Sequence, residues 1–264
     1  MTSRARRLAV AGAAAGMVLA LTACEGGASG AGGTGQGAED GALFAESVRL
    51  FRDAPSVRVT APSAVALGSR VAIFVDRDKN CRVDAQNGFF RVVVERGGRT
   101  WVRWSEDYLQ RDAHTPDGER LEKALSGKWL ELGQEGRIRK SMVDLCALTP
   151  LRSVADELVK PGRRAVREPE TTENGERLLP LRWGEEPSTV TAYVKPGAKP
   201  GDKAYPRKLA VDIVGFSLTP VDFLLDGYGE PVAAQPPAAA LTVRSASIEA
   251  LAEKHLAVGL HGSP

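Results

Sequence analysis

Apolar positions in this chain first recur at helical spacing. Leu43, Phe44, Val48 and Phe51, with charged residues between them, predict one amphipathic helix over residues 40–53. The period then shortens to two. Residues 56–60, 70–75, 89–95 and 100–104 are rich in Val, Ile, Phe and Trp and are separated by polar runs such as Asp76-Arg77-Asp78-Lys79-Asn80 and Arg96-Gly97-Gly98-Arg99. Links this short join antiparallel strands in a meander. Residues 117–125 and 141–159 return to a spacing near 3.6 and predict two helices, with a short strand in Gly127-Lys128-Trp129-Leu130-Glu131-Leu132 between them. Strands resume over residues 177–183, 188–195, 208–216 and 221–225. Pro236-Pro237 then breaks the chain before a last strand at 241–244 and a helix at 247–256. In residues 188–194 the alternation sends Val190, Ala192 and Val194 to one face and Thr189, Thr191 and Tyr193 to the other, so one face is expected to be wet.

Strands and helices in blocks, rather than in alternating βα units, predict an α+β fold with a large antiparallel sheet. A sheet of about ten strands tends to curl, which makes it an open half-barrel with helices packed on its concave face. One domain is expected over residues 43–256, followed by a C-terminal tail at 257–264.

The first residues read differently. Arg4, Arg6 and Arg7 precede an apolar run from Leu8 to Leu21, too short to span a bilayer comfortably and of the kind found in an export signal. Leu21-Thr22-Ala23-Cys24 is similar to a bacterial lipobox. That likeness implies a lipoprotein signal peptide at residues 1–23, cleavage before Cys24, and a diacylglyceryl group on Cys24 Sγ. Two palmitate-length acyl chains would contribute on the order of 25 kcal/mol as an upper bound, whereas one chain anchors only marginally. Arg6-Arg7 fits both general and twin-arginine export, and the pattern leaves the route open. From Glu25 to Ala42, eight of eighteen residues are Gly, so residues 24–42 are expected to be the lipidated Cys and a flexible tether about 23 Å in mean span. The expected location is the outer face of the cell membrane.

Charge narrows the function. The formal net charge is +2, but removing Arg4, Arg6 and Arg7 takes 35 basic residues to 32 against 33 acids. With 43% hydrophobic residues and mixed charges, the body is globular and has no basic stripe for nucleic acid.

On these residues the chain resembles the actinobacterial lipoproteins of the LppX/LprG type, whose fold is similar to that of the LolA lipoprotein carriers and LolB receptors. The resemblance covers about residues 40–245. It rests on the lipobox, on Asp76-Arg77-Asp78-Lys79-Asn80-Cys81 closing a hairpin, on Gly127-Lys128-Trp129-Leu130 after a helix, and on a strand entered through Tyr205-Pro206-Arg207-Lys208-Leu209. Residues 163–177 and those after Leu256 have no counterpart in it. The resemblance implies an apolar cavity that accepts acyl lipids or lipid-linked glycans. Alternating strands build a filled core equally well, and the other reading is an envelope interaction or sensory lipoprotein without lipid cargo. A monomer is expected in either case.

With Cys24 acylated, Cys81 and Cys146 are left as an even pair in an exported protein and are expected to form a disulfide; two separate buried thiols are the alternative. Asp76, Asp78 and Asn80 imitate the start of a calcium loop, but Cys81 and Asn87 stand where Gly and a bidentate Glu are needed, so a polar turn is expected. His114, His255 and His261 lack metal-ligand spacing, and no metal or cofactor is expected. Glu168, Glu170, Glu185 and Glu186 read as solvated charge, and no nucleophile elbow, phosphate loop or dinucleotide fingerprint occurs. No catalytic residue is assigned, and hydrolysis stays open only because catalytic groups converge in space rather than in sequence. The anchor has a direct check: Cys24→Ser is expected to move the protein from the membrane to the soluble fraction on cell fractionation. Unchanged membrane association would remove the lipobox reading.

Overall fold

The computed structural model describes residues 33–62, 70–85, 88–111, 113–159, 164–185, 187–213 and 220–256. The signal peptide, Cys24 and the tail expected at 257–264 lie outside them. Among the described residues the first meander comprises β1 (Ser56–Ala61), β2 (Val71–Asp76), β3 (Cys81–Ala85), β4 (Phe90–Val94) and β5 (Thr100–Trp104), with β6 (Trp129–Glu131) on its flank. The second half supplies β7 (Ala165–Arg167), β8 (Thr171–Glu173), β9 (Glu176–Glu185), β10 (Ser188–Val194), β11 (Lys208–Asp212) and β12 (Val221–Asp226). The halves join where β1 pairs with β12, Val59 opposite Leu225. Finally β13 (Thr242–Val243) returns to the far edge and pairs with β6, Thr242 opposite Trp129.

The result is one sheet in the order β13-β6-β5-β4-β3-β2-β1-β12-β11-β10-β9-β7, with β8 attached to β9, open rather than closed into a barrel. This is the α+β half-barrel the strand pattern predicts, with two differences. Among the described residues thirteen strands are present rather than about ten: β7 and β8 are three residues long and too charged to show a period, whereas β3 does alternate, with Cys81, Val83 and Ala85 buried, and went unread beside the polar turn that precedes it. The β13–β6 pair is parallel, which a meander does not anticipate.

Six α-helices accompany the sheet among the described residues: α1 (Gly33–Arg52), α2 (Glu106–Gln110), α3 (Pro116–Leu125), α4 (Arg137–Ala147), α5 (Thr149–Leu158) and α6 (Ala246–His255). Two depart from expectation. Helix α1 takes in residues 33–42 of the stretch read as tether. The buried carboxylate of Asp40 accepts hydrogen bonds from Arg167 Nε and Nη2 at 2.9 and 2.6 Å, and Leu43 and Phe44 are buried behind it, so tertiary contacts override the low helix propensity of glycine. The helix predicted over 141–159 is two helices, α4 and α5, broken at Leu148 in the left-handed conformation (φ 50°). Pro150 has no N–H to continue α4, and its ring would clash with a preceding carbonyl inside an unbroken helix.

Helix α1 lies on β7, β9 and β10, α5 packs on α1, and α4 lies across β2 to β5. The alternation in β10 places Val190, Ala192 and Val194 in the core as predicted, but Thr189 and Thr191 on the other face are also buried, and Tyr193 is half-buried beneath Lys208 Nζ, 4.3 Å from its ring. The outer face is therefore not uniformly wet.

Helix α4 is fixed from both directions. Its N-cap, Gly136, has no side chain, and Glu253 of α6 instead accepts from the backbone N–H groups of Arg137 and Ile138. The Glu249 carboxylate also lies against Gly136, so a Cβ there would have to displace that side chain. At the other end a disulfide joins Cys146 of α4 to Cys81 of β3, Cα atoms 5.9 Å apart. Closing a loop with a sequence separation of 65 corresponds to about 4 kcal/mol in the chain-entropy treatment. Cys81→Ala with Cys146→Ala is accordingly expected to lower denaturant-derived stability by about 2–4 kcal/mol without changing far-UV dichroism. Equal stability of the double variant and the oxidised parent would show that the bridge contributes nothing.

Candidate functional site

Two places merit comparison: the inner face of the sheet, where the resemblance puts a ligand, and the rim. On the inner face Val59, Ile73, Val83, Val92 and Val102 from one half, and Leu181, Val190 and Ala192 from the other, form one continuous apolar cluster with Phe44 and Val48 of α1 and Ile138 and Met142 of α4. None of these side chains is more than 2% exposed. A hollow wide enough for a methylene chain leaves accessible surface on the groups that line it, and these groups have almost none. Their volume is filled by protein.

At the rim a cleft of about 680 Å³ opens between the β10–β11 connection and the segment that follows β12. Its walls are built locally. Asp202 folds the connection by accepting from Lys199 N–H at 2.8 Å, and the Glu46 carboxylate of α1 holds it from below through Gly201 N–H at 2.6 Å. On the opposite side Ser56 Oγ donates to Glu230 O at 2.6 Å, and Gly227, at φ 59°, lets the chain turn away from the sheet. The floor is aromatic. The rings of Tyr205 and Tyr228 are 4.4 Å apart at 35°, and Tyr228 Oη donates to Pro206 O at 2.8 Å. Burial pushes the Tyr228 phenol well above its ordinary pKa, so it remains a neutral donor. Lys195, Lys203 and Arg207 stand at the mouth. Arg207 approaches Glu176 at 3.5 Å, whereas neither lysine has an ion pair among the described residues.

The residues singled out from sequence are scattered. Asp76 accepts from Asn80 N–H and Asn80 Nδ2, both at 2.9 Å, while Asn80 Oδ1 accepts from Arg96 N–H and Asp78 pairs with Arg96. Their oxygens are occupied in closing two adjacent turns. Among the described residues no group of three or more His, Cys, Asp or Glu could hold a metal ion. Glu168 pairs with Arg182 at 2.6 Å, and Glu170 pairs with Arg177. His114 is exposed. His255 Nε2 lies 3.0 Å from Asp117 Oδ2, which also accepts from Lys254 Nζ at 2.9 Å, so the histidine belongs to a clasp between α6 and α3. Cys24, Glu186 and His261 lie outside the described residues.

Sequence reasoning missed the rim cleft. Tyr205 to Leu209 read only as the entry to a strand, and the partner ring comes from Tyr228, beyond the next strand. A buried lysine was missed as well. Lys208 Nζ meets Glu173 at 2.6 Å and Asp222 at 3.1 Å; desolvation lowers its pKa, but the two hydrogen bonds outweigh that and the net shift is upward. A lysine held charged in this way cannot serve as a neutral nucleophile.

No protein-family model matches the chain, and no curated protein matches it. The likeness to LppX/LprG-type lipoproteins therefore rests on the motifs named above.

Hydrogen bonds from Lys254 and His255 hold the Asp117 carboxyl below its ordinary range. A lowered carboxyl pKa contributes stability that is present above the unfolded value, about 3.9, and is lost as pH falls through the folded one. Asp117→Asn is expected to lower the melting temperature at about pH 6 and to lower it less at about pH 2.5, below the unfolded value. An equal decrement at both pH values would remove the clasp from the account.

Proposed function

We propose that this protein is an exported lipoprotein held at the outer membrane face through a diacylglyceryl group on Cys24, and that its half-barrel is an envelope binding module rather than a lipid carrier. The packed inner face is the observation that carries this reading. Lipid carriage needs apolar volume between the sheet and its helices, and Phe44, Val48, Ile138 and Met142 occupy that space.

The separation of the cleft from the start of α1 is compatible with the same reading. Helix α1 ends beside the start of β1, at the end of the sheet where the rim cleft opens. Its first residue lies about 30 Å away along the helix axis, and the tether leads from there. The cleft therefore lies about a helix length from the first residue of α1.

Native mass spectrometry with solvent extraction tests the proposal on the chain from Glu25 onward, made without Cys24 so that an anchor cannot mimic a ligand. A clean apo mass, unchanged by added envelope lipids, is expected. Acyl lipid co-purifying near one-to-one would overturn the reading in favour of carriage.

A further inference from the structure

We infer that the rim cleft binds an acidic saccharide: a sugar ring carrying a carboxylate or phosphate group. The inference rests on the reading of the half-barrel as a binding module and names the ligand class of its cleft.

Three features of the cleft converge on that chemistry. The first is its floor. Tyr205 and Tyr228, with Ala198 and Ala204 beside them, form an apolar patch in an otherwise polar recess. An aromatic face accepts the C–H face of a sugar ring, and a patch of this size is too small to shelter an acyl chain. The Tyr205 hydroxyl has no hydrogen-bond partner among the described residues and is free to meet a ligand hydroxyl, whereas the Tyr228 hydroxyl is held by Pro206 O.

The second is the balance of charge at the mouth. Lys195 and Lys203 are exposed and without ion pairs among the described residues, and Asp202, the nearest acid in sequence to Lys203, is turned toward Lys199 N–H. With no ion pair to either lysine among the described residues, both ammonium groups beside the aromatic floor are open to a ligand that brings negative charge to them. Glu230, on the opposite wall, provides carboxylate oxygens for sugar hydroxyls.

The third is fixed geometry. Lys203 is held at φ 53°, with Tyr205 N–H donating to Lys203 O at 2.8 Å. A non-glycine residue in the left-handed region is uncommon, and such residues concentrate at sites that clamp ligands. Here the conformation directs the backbone so that Lys203 and Tyr205 border the same recess. The volume, about 680 Å³, lies within the range of small-ligand sites.

Isothermal titration of the full chain in detergent micelles tests this with four probes. They are the disaccharide of N-acetylglucosamine and N-acetylmuramic acid, which carries a carboxylate; glucose 6-phosphate; neutral diacetylchitobiose; and inorganic phosphate. At least one of the two acidic sugars is expected to bind about tenfold or more tightly than both chitobiose and inorganic phosphate. Lys195→Ala with Lys203→Ala, both on exposed side chains, is expected to weaken that binding about tenfold with no change in melting temperature. Tyr205→Ala is expected to weaken acidic and neutral sugars alike. Phosphate binding as tightly as the sugars, chitobiose binding as tightly as the acidic probes, no binding by any probe, or indifference to the lysine substitutions would each overturn the inference. A clean apo mass together with any of these failures rejects the saccharide while leaving the binding-module reading in place; a bound acyl lipid rejects that reading itself.

Discussion

The side chains that β1, β2, β9 and β10 send inward have no facing strand to meet, because the sheet never closes on itself. They are buried under the chain's own helices, at about 1.5–3 kcal/mol for each fully buried Val, Leu or Phe. Everything that positions those helices is therefore also part of the core. The disulfide fixes the C-terminal end of α4 on β3, Glu253 of α6 supplies the cap that Gly136 cannot, and the Asp40–Arg167 pair sets α1 against β7. Phe44 and Val48 of α1 and Ile138 and Met142 of α4 are the side chains that do this covering. The contacts that stabilise the sheet are thus the same ones that fill the inner face among the described residues.

The outer face is organised by charge. Phe74 lies between the guanidinium groups of Arg82, at 4.0 Å, and Arg58, at 5.8 Å; Arg58 in turn is paired with Asp226 across the β1–β12 junction. Such exposed pairs contribute little individually, but they hold a row of long side chains flat over the middle of the sheet. Farther out, Val232 and Ala234 cover Val93 and Trp101, so the segment that leaves β12 acts as a strap over the first meander. Glu131 accepts from both Trp101 Nε1 and Arg244 Nε, which fastens the far end of that strap beside β13.

Much of the fold was legible where the apolar period was long. Leu43, Phe44, Val48 and Phe51 mark α1, and Val190, Ala192 and Val194 mark the core face of β10, because each set spans several turns or residues of one element. Met142 and Cys146 keep helical spacing before Leu148, and Leu151 and Ala155 keep it after, which hid the break, although the five-residue step between the two pairs and Pro150 were its visible signs. The glycines of residues 33–37 argued for a tether because the Asp40–Arg167 contact that favours the helix comes from residues far apart in sequence. Non-local chemistry explains the site as well. Tyr205 meets Tyr228 only after β11 and β12 are laid down, and Lys195 and Lys203 border one recess only through the fold of the connection that Asp202 helps to close. Residue type gave no hint of either. The disulfide needed little geometry: the even pair of cysteines left once Cys24 is read as acylated already pointed to it.

The β1–β12 junction also constrains how the molecule comes to exist. Arg58 and Asp226 are 168 residues apart, yet their strands are neighbours at the centre of the sheet. Contacts of such separation are slow to form, since a long loop must close before any pairing rewards it. Until β12 is made, one edge of β1 has no partner strand and is a template for unwanted strands in a crowded compartment. That edge is protected only when β12, near the C-terminal end, arrives. The fold therefore has no self-sufficient half, and the order of synthesis leaves its central seam to be sewn last.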